Sequence, residues 1–503
     1  MNLFEGIADH ARTRATAPAL QGQGLELSWA MLQQRLETLA QQLAGVRRLA
    51  LFGDNHPCWL LLDLAARRAG ACVIPIPPFF TQAQAAHVLQ SAQVDAVWSL
   101  DKSLDALSSS GFVAALELDG HGFVARRPSG ASALPADTAK LTFTSGSTGA
   151  PKGVALRQSA MEAVVASLQS VLALGAGHRH LCVLPLAVLL ENLAGADLTL
   201  WSGGVVLAPS LRELGVQGSS HVDGAALCAS IRRHRAHSLI LTPQLLQALT
   251  AAMREADCVF PELQFVAVGG APLSPLLLQQ AQACGLPVYE GYGLSETSSV
   301  AALNTPQQQR RGSVGRLLPH LQCRIDGARS QIYLSGPSLC SGYLAPDGAF
   351  APVAAELASG DQGRLDEDGF LFVSGRLKHQ FITAFGRNVA PEWVESELTV
   401  EPEIQQAIVV GEAQPFNLAL LAAAPGASEE DLNAAVRRAN NRLPDYAQVR
   451  RWLLSPEPFT LANGLWSGAG KPRRLEIERR FADLFAAALA SEQGRQGARH
   501  EIE

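Results

Sequence analysis

Residues 141–156 of this chain, LTFTSGSTGAPKGVAL, are the stretch from which its fold can be worked out. The first four residues are apolar or β-branched and predict a buried strand. The glycines that follow let the backbone turn sharply and bring its N–H groups close to a ligand, while hydroxyl side chains add donors and Lys152 adds a positive charge. This combination is typical of a loop that binds the phosphates of a nucleotide. It is not a Walker loop, because no G-x-x-x-x-G-K-[ST] spacing fits it. A flexible glycine–serine turn is the alternative interpretation.

The segment TSGSTGAPKGV resembles the signature loop of the acyl-adenylate-forming superfamily, which includes acyl-CoA synthetases, fatty acyl-AMP ligases, peptide-synthetase adenylation domains and luciferases. The resemblance implies that the loop holds the β- and γ-phosphates of ATP, and it gives Thr144 a catalytic role. The nucleotide-binding residues that it implies in the loop are Ser145, Gly146, Ser147, Thr148, Gly149 and Lys152. The other motifs of the family follow in the family's order.

Strand-like stretches at 238–242 and 265–268 are each followed by a helix-competent stretch. This alternation predicts an α/β fold whose large N-terminal domain has doubly wound, mostly parallel sheets, with ligands at the carboxyl ends of the strands. Two motifs stand at such ends: VGGAP at 268–272 and YEGYGLSET at 289–297.

The family resemblance gives these two motifs roles around the nucleotide. Tyr292 would stack on adenine, and Thr297 would contact the α-phosphate or the carboxylate. Glu296 is implied as a catalytic residue and as the Mg²⁺-associated carboxylate, which suits an ion that prefers few carboxylates together with phosphate oxygens and water. Gly269 would lie beside the acyl pocket. The remaining nucleotide-binding residues implied here are Gly270, Ala271, Pro272 and Gly293. A solvated strand end is the alternative for the Y-G-L-S-E string by itself.

The segment from residue 359 carries the next motif, SGDQGRLDEDG. Asp361 stands where the family's aspartate bonds both ribose hydroxyls, and one carboxylate can accept two such donors. Arg376 matches the arginine that the family places near the ribose and phosphate. The DEDG string at 366–369 predicts a tight turn between two strands rather than a metal site.

The resemblance also divides the chain. It implies an AMP-binding domain at 1–376, a hinge at 377–378 centred on Lys378, and a smaller mobile α+β lid domain at 379–503. Gly386 matches the glycine that lines the thiol tunnel of the family. Lys471, within FTLANGLWSGAGKPRR, matches the catalytic lysine, although a lysine without such a context is usually a solvated surface charge.

The segment CVLPLAVLLEN at 182–192 corresponds to the family segment beside the acyl and thiol sites. Val188 stands where long-chain synthetases usually have histidine, and Glu191 is retained; both are assigned to the acyl pocket. The apolar side chains here suit a hydrocarbon better than a polar acid. Ordinary helix packing is the alternative interpretation.

Elsewhere, apolar periodicity predicts helices at 26–43, 391–398 and 428–441 and strands at 72–76 and 407–410.

Composition narrows the class of protein. A chain of 503 residues that is 48% hydrophobic should form more than one domain. A net charge of −6 without a basic block argues against nucleic acid as the main partner. The most apolar run, 181–190, is too short to span a bilayer, which leaves peripheral membrane contact open. Eight scattered cysteines predict buried free thiols in a reducing cytoplasm. The histidine pairs at 178/180 and 234/237 are expected to be core or surface residues rather than metal ligands.

The resemblance covers essentially the whole chain and implies an adenylating enzyme. A carboxylate attacks the α-phosphate of MgATP to give acyl-AMP and pyrophosphate, and a thiol then displaces AMP. The leading hypothesis is a medium- or long-chain fatty acyl-CoA synthetase that uses ATP, Mg²⁺ and coenzyme A. Two alternatives stay open: a fatty acyl-AMP ligase that loads the phosphopantetheine of an acyl carrier protein, and a catalytically silent nucleotide- or acyl-binding paralogue. Amino-acid adenylation ranks lower, because the segment after Pro185 has no aspartate to fix an α-amine.

Overall fold

The computed structural model describes residues 2–100, 111–118, 120–128, 130–144, 152–217, 221–385, 387–467, 470–489 and 500–501. Within them the protein has a large N-terminal part built on two nine-stranded sheets and a smaller C-terminal part built on a four-stranded sheet. The predicted α/β fold with a smaller C-terminal α+β domain is confirmed.

The strands have the following bounds: β1 (Pro18–Gly22), β2 (Leu25–Ser28), β3 (Arg48–Phe52), β4 (Cys72–Ile76), β5 (Ala96–Ser99), β6 (Val113–Glu117), β7 (Phe123–Arg126), β8 (Thr138–Thr144), β9 (Lys152–Arg157), β10 (Arg179–Leu181), β11 (Val205–Leu207), β12 (Val216–Gln217), β13 (His221–Val222), β14 (Ser238–Leu241), β15 (Phe265–Val268), β16 (Val288–Leu294), β17 (Ser299–Leu303), β18 (Arg316–Leu317), β19 (Gln322–Ile325), β20 (Gln331–Ser335), β21 (Gly342–Leu344), β22 (Phe350–Pro352), β23 (Glu356–Leu365), β24 (Leu371–Arg376), β25 (Phe381–Ile382), β26 (Asn388–Val389), β27 (Ile404–Val410), β28 (Asn417–Ala423), β29 (Val449–Leu454) and β30 (His500–Glu501).

The α-helices are α1 (Leu3–Thr13), α2 (Trp29–Gln42), α3 (Pro57–Arg68), α4 (Gln82–Ser91), α5 (Gln158–Leu172), α6 (Leu198–Trp201), α7 (Gly224–His234), α8 (Pro243–Ala256), α9 (Pro275–Ala283), α10 (Pro391–Leu398), α11 (Glu429–Asn440), α12 (Arg474–Arg480) and α13 (Ala482–Leu489). A π-helix spans Glu191–Asp197, and short 3₁₀ turns span Ser295–Thr297 and Asp445–Ala447. Within the described residues, no helix has the length and apolar character needed to cross a bilayer.

The first nine-stranded sheet has the order β18-β17-β16-β15-β14-β10-β11-β1-β2. The strands from β16 to β1 in this order pair in parallel, whereas β2, β17 and β18 add antiparallel edges. The carboxyl ends of β14, β15 and β16 therefore lie side by side, which is where a doubly wound sheet binds its ligand.

The second nine-stranded sheet has the order β22-β21-β9-β8-β4-β3-β5-β7-β6. Strands β3, β4, β5 and β8 are parallel in it, and β8 and β9 form an antiparallel pair. Residues 145–151, which join β8 to β9, lie outside the described residues.

Fully buried charged side chains hold α3, β8 and the π-helix together. Arg67 Nη2 lies 2.7 Å from Asp63 Oδ2 and 2.9 Å from Asp197 Oδ1. Lys140 Nζ lies 2.5 Å from Asp63 Oδ1 and also contacts Asn192 Oδ1. Two cations thus offset two carboxylates, and burial of such groups is tolerated only when each is paired.

Most predicted elements are found. The strands at 72–76 and 265–268 and the helix at 391–398 are confirmed, and the DEDG string forms the turn between β23 and β24. The helix predicted at 26–43 is wrong at its start, because Ser28 caps a helix that begins at Trp29 by accepting a hydrogen bond from the Met31 N–H. Leu25 and Leu27 alternate inward with Glu26 outward, which is the pattern of a strand.

All eight cysteines fall among the described residues and are free thiols. Six are buried, as predicted, while Cys284 and Cys323 are only partly buried.

Candidate active site

A cavity of about 2340 Å³ opens at the carboxyl ends of β15 and β16, between the large domain and the C-terminal domain. It brings together many of the residues that the sequence motifs singled out. The predicted site residues on its wall are Thr144, Val188, Gly269, Gly270, Ala271, Pro272, Tyr292, Gly293, Asp361, Arg376, Lys378 and Lys471. The predictions for Ser145, Gly146, Ser147, Thr148, Gly149 and Gly386 fall outside the described residues.

Asp361 is fixed by two neighbours. Its position on β23 pairs with Arg376 on β24, and Arg376 Nε lies 3.0 Å from Asp361 Oδ1. The Tyr292 hydroxyl donates a hydrogen bond of 2.7 Å to Asp361 Oδ2. Burial, reinforced by the Asp361 charge, raises the pKa of Tyr292, so its hydroxyl keeps its proton. An ionised carboxylate has about four acceptor sites. Asp361 can therefore accept two more donors, as the ribose prediction requires.

Glu296 lies in the 3₁₀ turn after β16, on the same side of the fold as Lys152. Tyr343 donates a hydrogen bond of 3.1 Å to Glu296 Oε1, and Lys152 Nζ lies 3.7 Å from the same oxygen. The Lys152 ammonium also sits 3.8 Å from the centre of the Tyr343 ring. Pairing of β21 with β9 produces this contact, which motif spacing does not reveal. The Glu296 side chain is 19% exposed. One partly exposed carboxylate fits a Mg²⁺ ion whose other ligands are phosphate oxygens and water.

Thr297 departs from its predicted role. Its side chain is buried, its hydroxyl donates to the Leu294 carbonyl at 3.0 Å, and it accepts the Leu294 N–H at 3.2 Å. Buried hydroxyl groups form hydrogen bonds with nearby partners. The Thr297 hydroxyl, which was expected to contact a phosphate or carboxylate, therefore bonds to the backbone of Leu294 in its own turn.

The backbone is strained where β17 begins, beside the end of β16. Ser298 and Ser299 both have positive φ, 55° and 94°. A Cβ at Gly293 would lie 1.6 Å from the Ser299 carbonyl oxygen, so only glycine fits there. Conformations of this kind cluster at ligand-binding sites.

The predicted adenine turn lies directly after β15. Gly270 has a φ of 84°, a conformation that favours glycine. Beside it, burial raises the pKa of Glu290 to about 8, although the Leu273 N–H donates to the carboxylate and opposes the shift. Glu290 also lines the cavity. Sequence analysis missed this residue, because its pKa depends on burial that the chain pattern does not reveal.

Lys471 reaches the same site from the C-terminal domain. Its side chain is open to solvent through the cavity, yet protein surrounds it closely enough to lower its pKa. Desolvation is the main cause and the Arg376 cation adds to it, while Asp361 and Glu392 oppose it. Lys471 is therefore within electrostatic reach of the proposed ribose-binding pair.

Lys378 also lines the cavity, and its neighbour His379 contacts the Glu392 carboxylate through Nδ1. Glu392 lies in the first turn of α10, where the helix dipole favours a negative charge. Burial would raise the Glu392 pKa, but His379 and Arg474 lower it. This pair was not found from the sequence.

Part of the cavity lining is apolar. Val188, predicted for the acyl pocket, belongs to it. The other apolar residues on this wall include Leu168, Leu172, Leu184, Leu189, Leu190, Ala194, Leu198, Phe265 and Ala267. Gly269 lies close to the facing backbone, since a Cβ there would lie 3.3 Å from the Gly291 carbonyl oxygen and 3.9 Å from Leu190 Cδ2.

Glu191, predicted to line the acyl pocket, has its carboxylate in the interior instead. The residue is fully buried, and its oxygens contact His180 Nε2 at 2.6 Å and the Leu184 N–H at 2.8 Å. The reason is that a buried carboxylate must be paired, and His180 provides the partner. His178 and His180 are both core residues, and burial is the main cause that lowers the pKa of His178 to about 3.

Comparison with known proteins shows which family the chain belongs to. A family model described as AMP-binding enzyme matches residues 7–344, and one described as AMP-binding enzyme C-terminal domain matches residues 378–493. The chain therefore belongs to the AMP-binding enzyme family. The class of enzyme is an AMP-forming acid–thiol ligase.

Individual enzymes of this family share less than a third of their aligned residues with the chain in the following two comparisons. The chain is 29% identical over 542 aligned positions to the long-chain-fatty-acid–CoA ligase FadD15 of Mycobacterium bovis, with 88% of each chain covered. It is 28% identical over 506 positions to a feruloyl-CoA synthase of an Amycolatopsis species, covering 94% of this chain and 97% of that protein. Its fold is similar to that of the O-succinylbenzoate coenzyme A synthetase of Bacillus subtilis in complex with its acyl-adenylate intermediate. The TM-score is 0.76 at 21% identity, with 98% of both chains covered.

Proposed function

We propose that this enzyme converts a medium- or long-chain fatty acid, ATP and coenzyme A into acyl-CoA, AMP and pyrophosphate. The observation that carries the proposal is the apolar part of the cavity lining, in which Leu168, Leu190 and Phe265 line the same cavity as Tyr292 and Asp361. Each buried CH₂ contributes roughly 0.8 kcal/mol, so such a wall favours an alkyl chain.

The proposed reaction has two steps. A carboxylate oxygen of the acid attacks the α-phosphorus of ATP, and pyrophosphate leaves. The thiol sulfur then attacks the carbonyl carbon of acyl-AMP, AMP leaves with the bonding electrons, and the thiol proton is released.

Residues of this chain have distinct roles in the proposal. Asp361, held by Tyr292 and Arg376, accepts the ribose hydroxyls. Lys471 stabilises negative charge on the α-phosphate and the attacking carboxylate. Glu296 holds Mg²⁺, which when bound neutralises charge on the phosphates.

We also propose that the AMP-binding domain ends at residue 376, that residues 377–378 are the hinge and that residues 379–503 move as a lid. The separate family matches to 7–344 and 378–493 support this division. A cytoplasmic location is part of the same proposal, supported by the eight free cysteines.

The test measures release of pyrophosphate and of AMP with a panel of acids: acetate, octanoate, palmitate, benzoate, ferulate and an amino acid, each with coenzyme A or with a phosphopantetheinylated acyl carrier protein. We expect octanoate or palmitate to exceed acetate widely and coenzyme A to support turnover. A preference for acetate, aryl acids or amino acids would overturn the substrate assignment. Turnover only with the carrier protein would identify an acyl-AMP ligase that loads it, and no pyrophosphate release with any acid would identify a silent paralogue.

A further inference from the structure

The π-helix Glu191–Asp197 lies between the cavity and the core. On one side, Ala194 of the helix and the flanking residues Leu190 and Leu198 belong to the apolar lining of the cavity. On the other, Glu191, Asn192 and Asp197 are almost completely buried. π-helical turns are rare and occur frequently at functional sites.

Residues 184–190 form this part of the cavity wall, and the Glu191 carboxylate at their end bonds back to Leu184 at their beginning. One oxygen accepts the Leu184 N–H at 2.8 Å, where the segment begins, and the other lies 2.6 Å from His180 Nε2. Asn55 holds the same segment, donating to the Leu184 carbonyl at 2.9 Å and accepting the Leu186 N–H at 2.6 Å. The wall from 184 to 190 is thus closed into a loop by buried polar side chains.

His180 is itself fixed. Its Nδ1 lies 2.8 Å from Ser238 Oγ, and the same hydroxyl lies 2.7 Å from His178 Nε2. Both ring nitrogens of His180 are therefore occupied, and the imidazole cannot rotate without losing a buried hydrogen bond.

Gly195 packs directly on this contact. A Cβ at Gly195 would lie 2.4 Å from Glu191 Oε1 and 2.4 Å from His180 Nε2. A methyl group there would push the pair apart while leaving both side chains present.

We infer that Glu191 is a positioning residue for the acid substrate, because its bonds to His180 and Leu184 place Leu190 and Ala194 against the acyl chain and so set the size of acid that is accepted. This inference rests on the proposed function. Glu191 does not touch the substrate and acts through the wall that it holds.

The test compares Glu191→Ala, Glu191→Gln and Gly195→Ala with the wild type, measuring KM for acids of increasing chain length, KM for ATP, kcat and thermal stability. Glu191→Ala and Gly195→Ala should raise KM for the preferred acid about tenfold and flatten the chain-length profile, a change equivalent to about 1.4 kcal/mol. KM for ATP should stay unchanged. Glu191→Gln should retain wild-type behaviour, since its amide can accept from Leu184 and donate to His180.

Asp95→Ala is the matched control. Asp95 is also a buried carboxylate that accepts backbone N–H groups, from Arg47 and Arg48, but it lies outside the cavity. The Asp95→Ala variant should lower thermal stability without changing how KM depends on the chain length of the acid.

An unchanged profile in folded Glu191→Ala and Gly195→Ala would overturn the inference, as would an equal change in Asp95→Ala. If Glu191→Ala does not fold, the chain-length profiles of Gly195→Ala and Glu191→Gln test the inference in its place. A wild type that prefers aryl acids would refute the proposed substrate class alone, and the same variants compared on aryl acids would still test the role of Glu191.

Discussion

Tyr292 and Asp361 are joined by a hydrogen bond of 2.7 Å from the phenol hydroxyl to Oδ2, although they are 69 residues apart in sequence. Tyr292 is on β16 of a nine-stranded sheet and Asp361 on β23 of the sheet β19-β20-β23-β24. The bond fixes the carboxylate on one side while Arg376 fixes it on the other. This arrangement presents the remaining acceptor sites of Asp361 to the cavity.

Replacing Asp361 with alanine should raise KM for ATP, because the ribose would lose its acceptor and Arg376 would lose its carboxylate partner. Hydrogen bonds to charged groups contribute about 1.5–3 kcal/mol each. Tyr292→Phe is the matched control, since it removes one hydrogen bond to the carboxylate and leaves Asp361 in place, so its effect on KM for ATP should be smaller than that of Asp361→Ala. Steady-state kinetics at saturating acid provide the measurement. An unchanged KM for ATP in Asp361→Ala would show that the aspartate does not bind the nucleotide.

Glu290 should make stability depend on pH. Its folded-state pKa of about 8 lies above the ordinary value of 4.5, so the folded protein keeps a proton that the unfolded chain releases. The contribution to stability is therefore fully present below pH 4.5 and is lost as the pH rises toward 8. Relative to wild type, Glu290→Gln should become more stable on going from pH 5 to pH 8, by on the order of 1 kcal/mol per pH unit. Urea unfolding at both pH values measures this, and an identical difference at pH 5 and pH 8 would contradict it.

Lys140→Met should destabilise the large domain by about 3–5 kcal/mol, because it leaves a buried excess of negative charge on Asp63 and Asp197. Urea unfolding followed by tryptophan fluorescence would measure the loss. In the double variant Lys140→Met with Asp63→Asn, the Arg67–Asp197 pair remains balanced, and part of the stability should return. No recovery in the double variant would mean that packing, rather than charge balance, explains the loss.

Lys378→Pro should impair thioester formation while sparing adenylation, since proline fixes φ at the proposed hinge and a lid rotation would need that angle to change. Lys378→Ala removes the same charge without fixing the backbone and serves as the control. Pyrophosphate exchange and thioester formation from synthetic acyl-AMP separate the two steps. Equal effects of the proline and alanine variants would argue against a hinge at this residue.

Sequence patterns predicted the parts of the site that local chain order determines. The turns after β15 and β16 meet because parallel neighbouring strands end at one sheet edge, so motif order predicts that Gly270 and Tyr292 lie on the same cavity. The strand at 72–76 and the helix at 391–398 were likewise predictable, because their apolar residues have regular spacing.

Contacts between separate elements could not be predicted. Tyr343 reaches Lys152 only because β21 pairs with β9. His180 and Glu191 are 11 residues apart but meet because a strand and a π-helix pack together. The occupied hydroxyl of Thr297 and the raised pKa of Glu290 depend on turn geometry and burial, which motif spacing does not encode.

The central claim is that Lys471 acts in acyl-AMP formation from its position beside Asp361 and Arg376. The most direct measurement is pyrophosphate exchange by Lys471→Ala, set beside its conversion of synthetic acyl-AMP and coenzyme A to thioester. Arg450→Ala, which removes a partly exposed cation of the same domain, is the control. We predict that exchange falls about 10²- to 10³-fold while thioester formation survives. Undiminished exchange in Lys471→Ala, or an equal loss of both activities in a folded protein, would contradict the account.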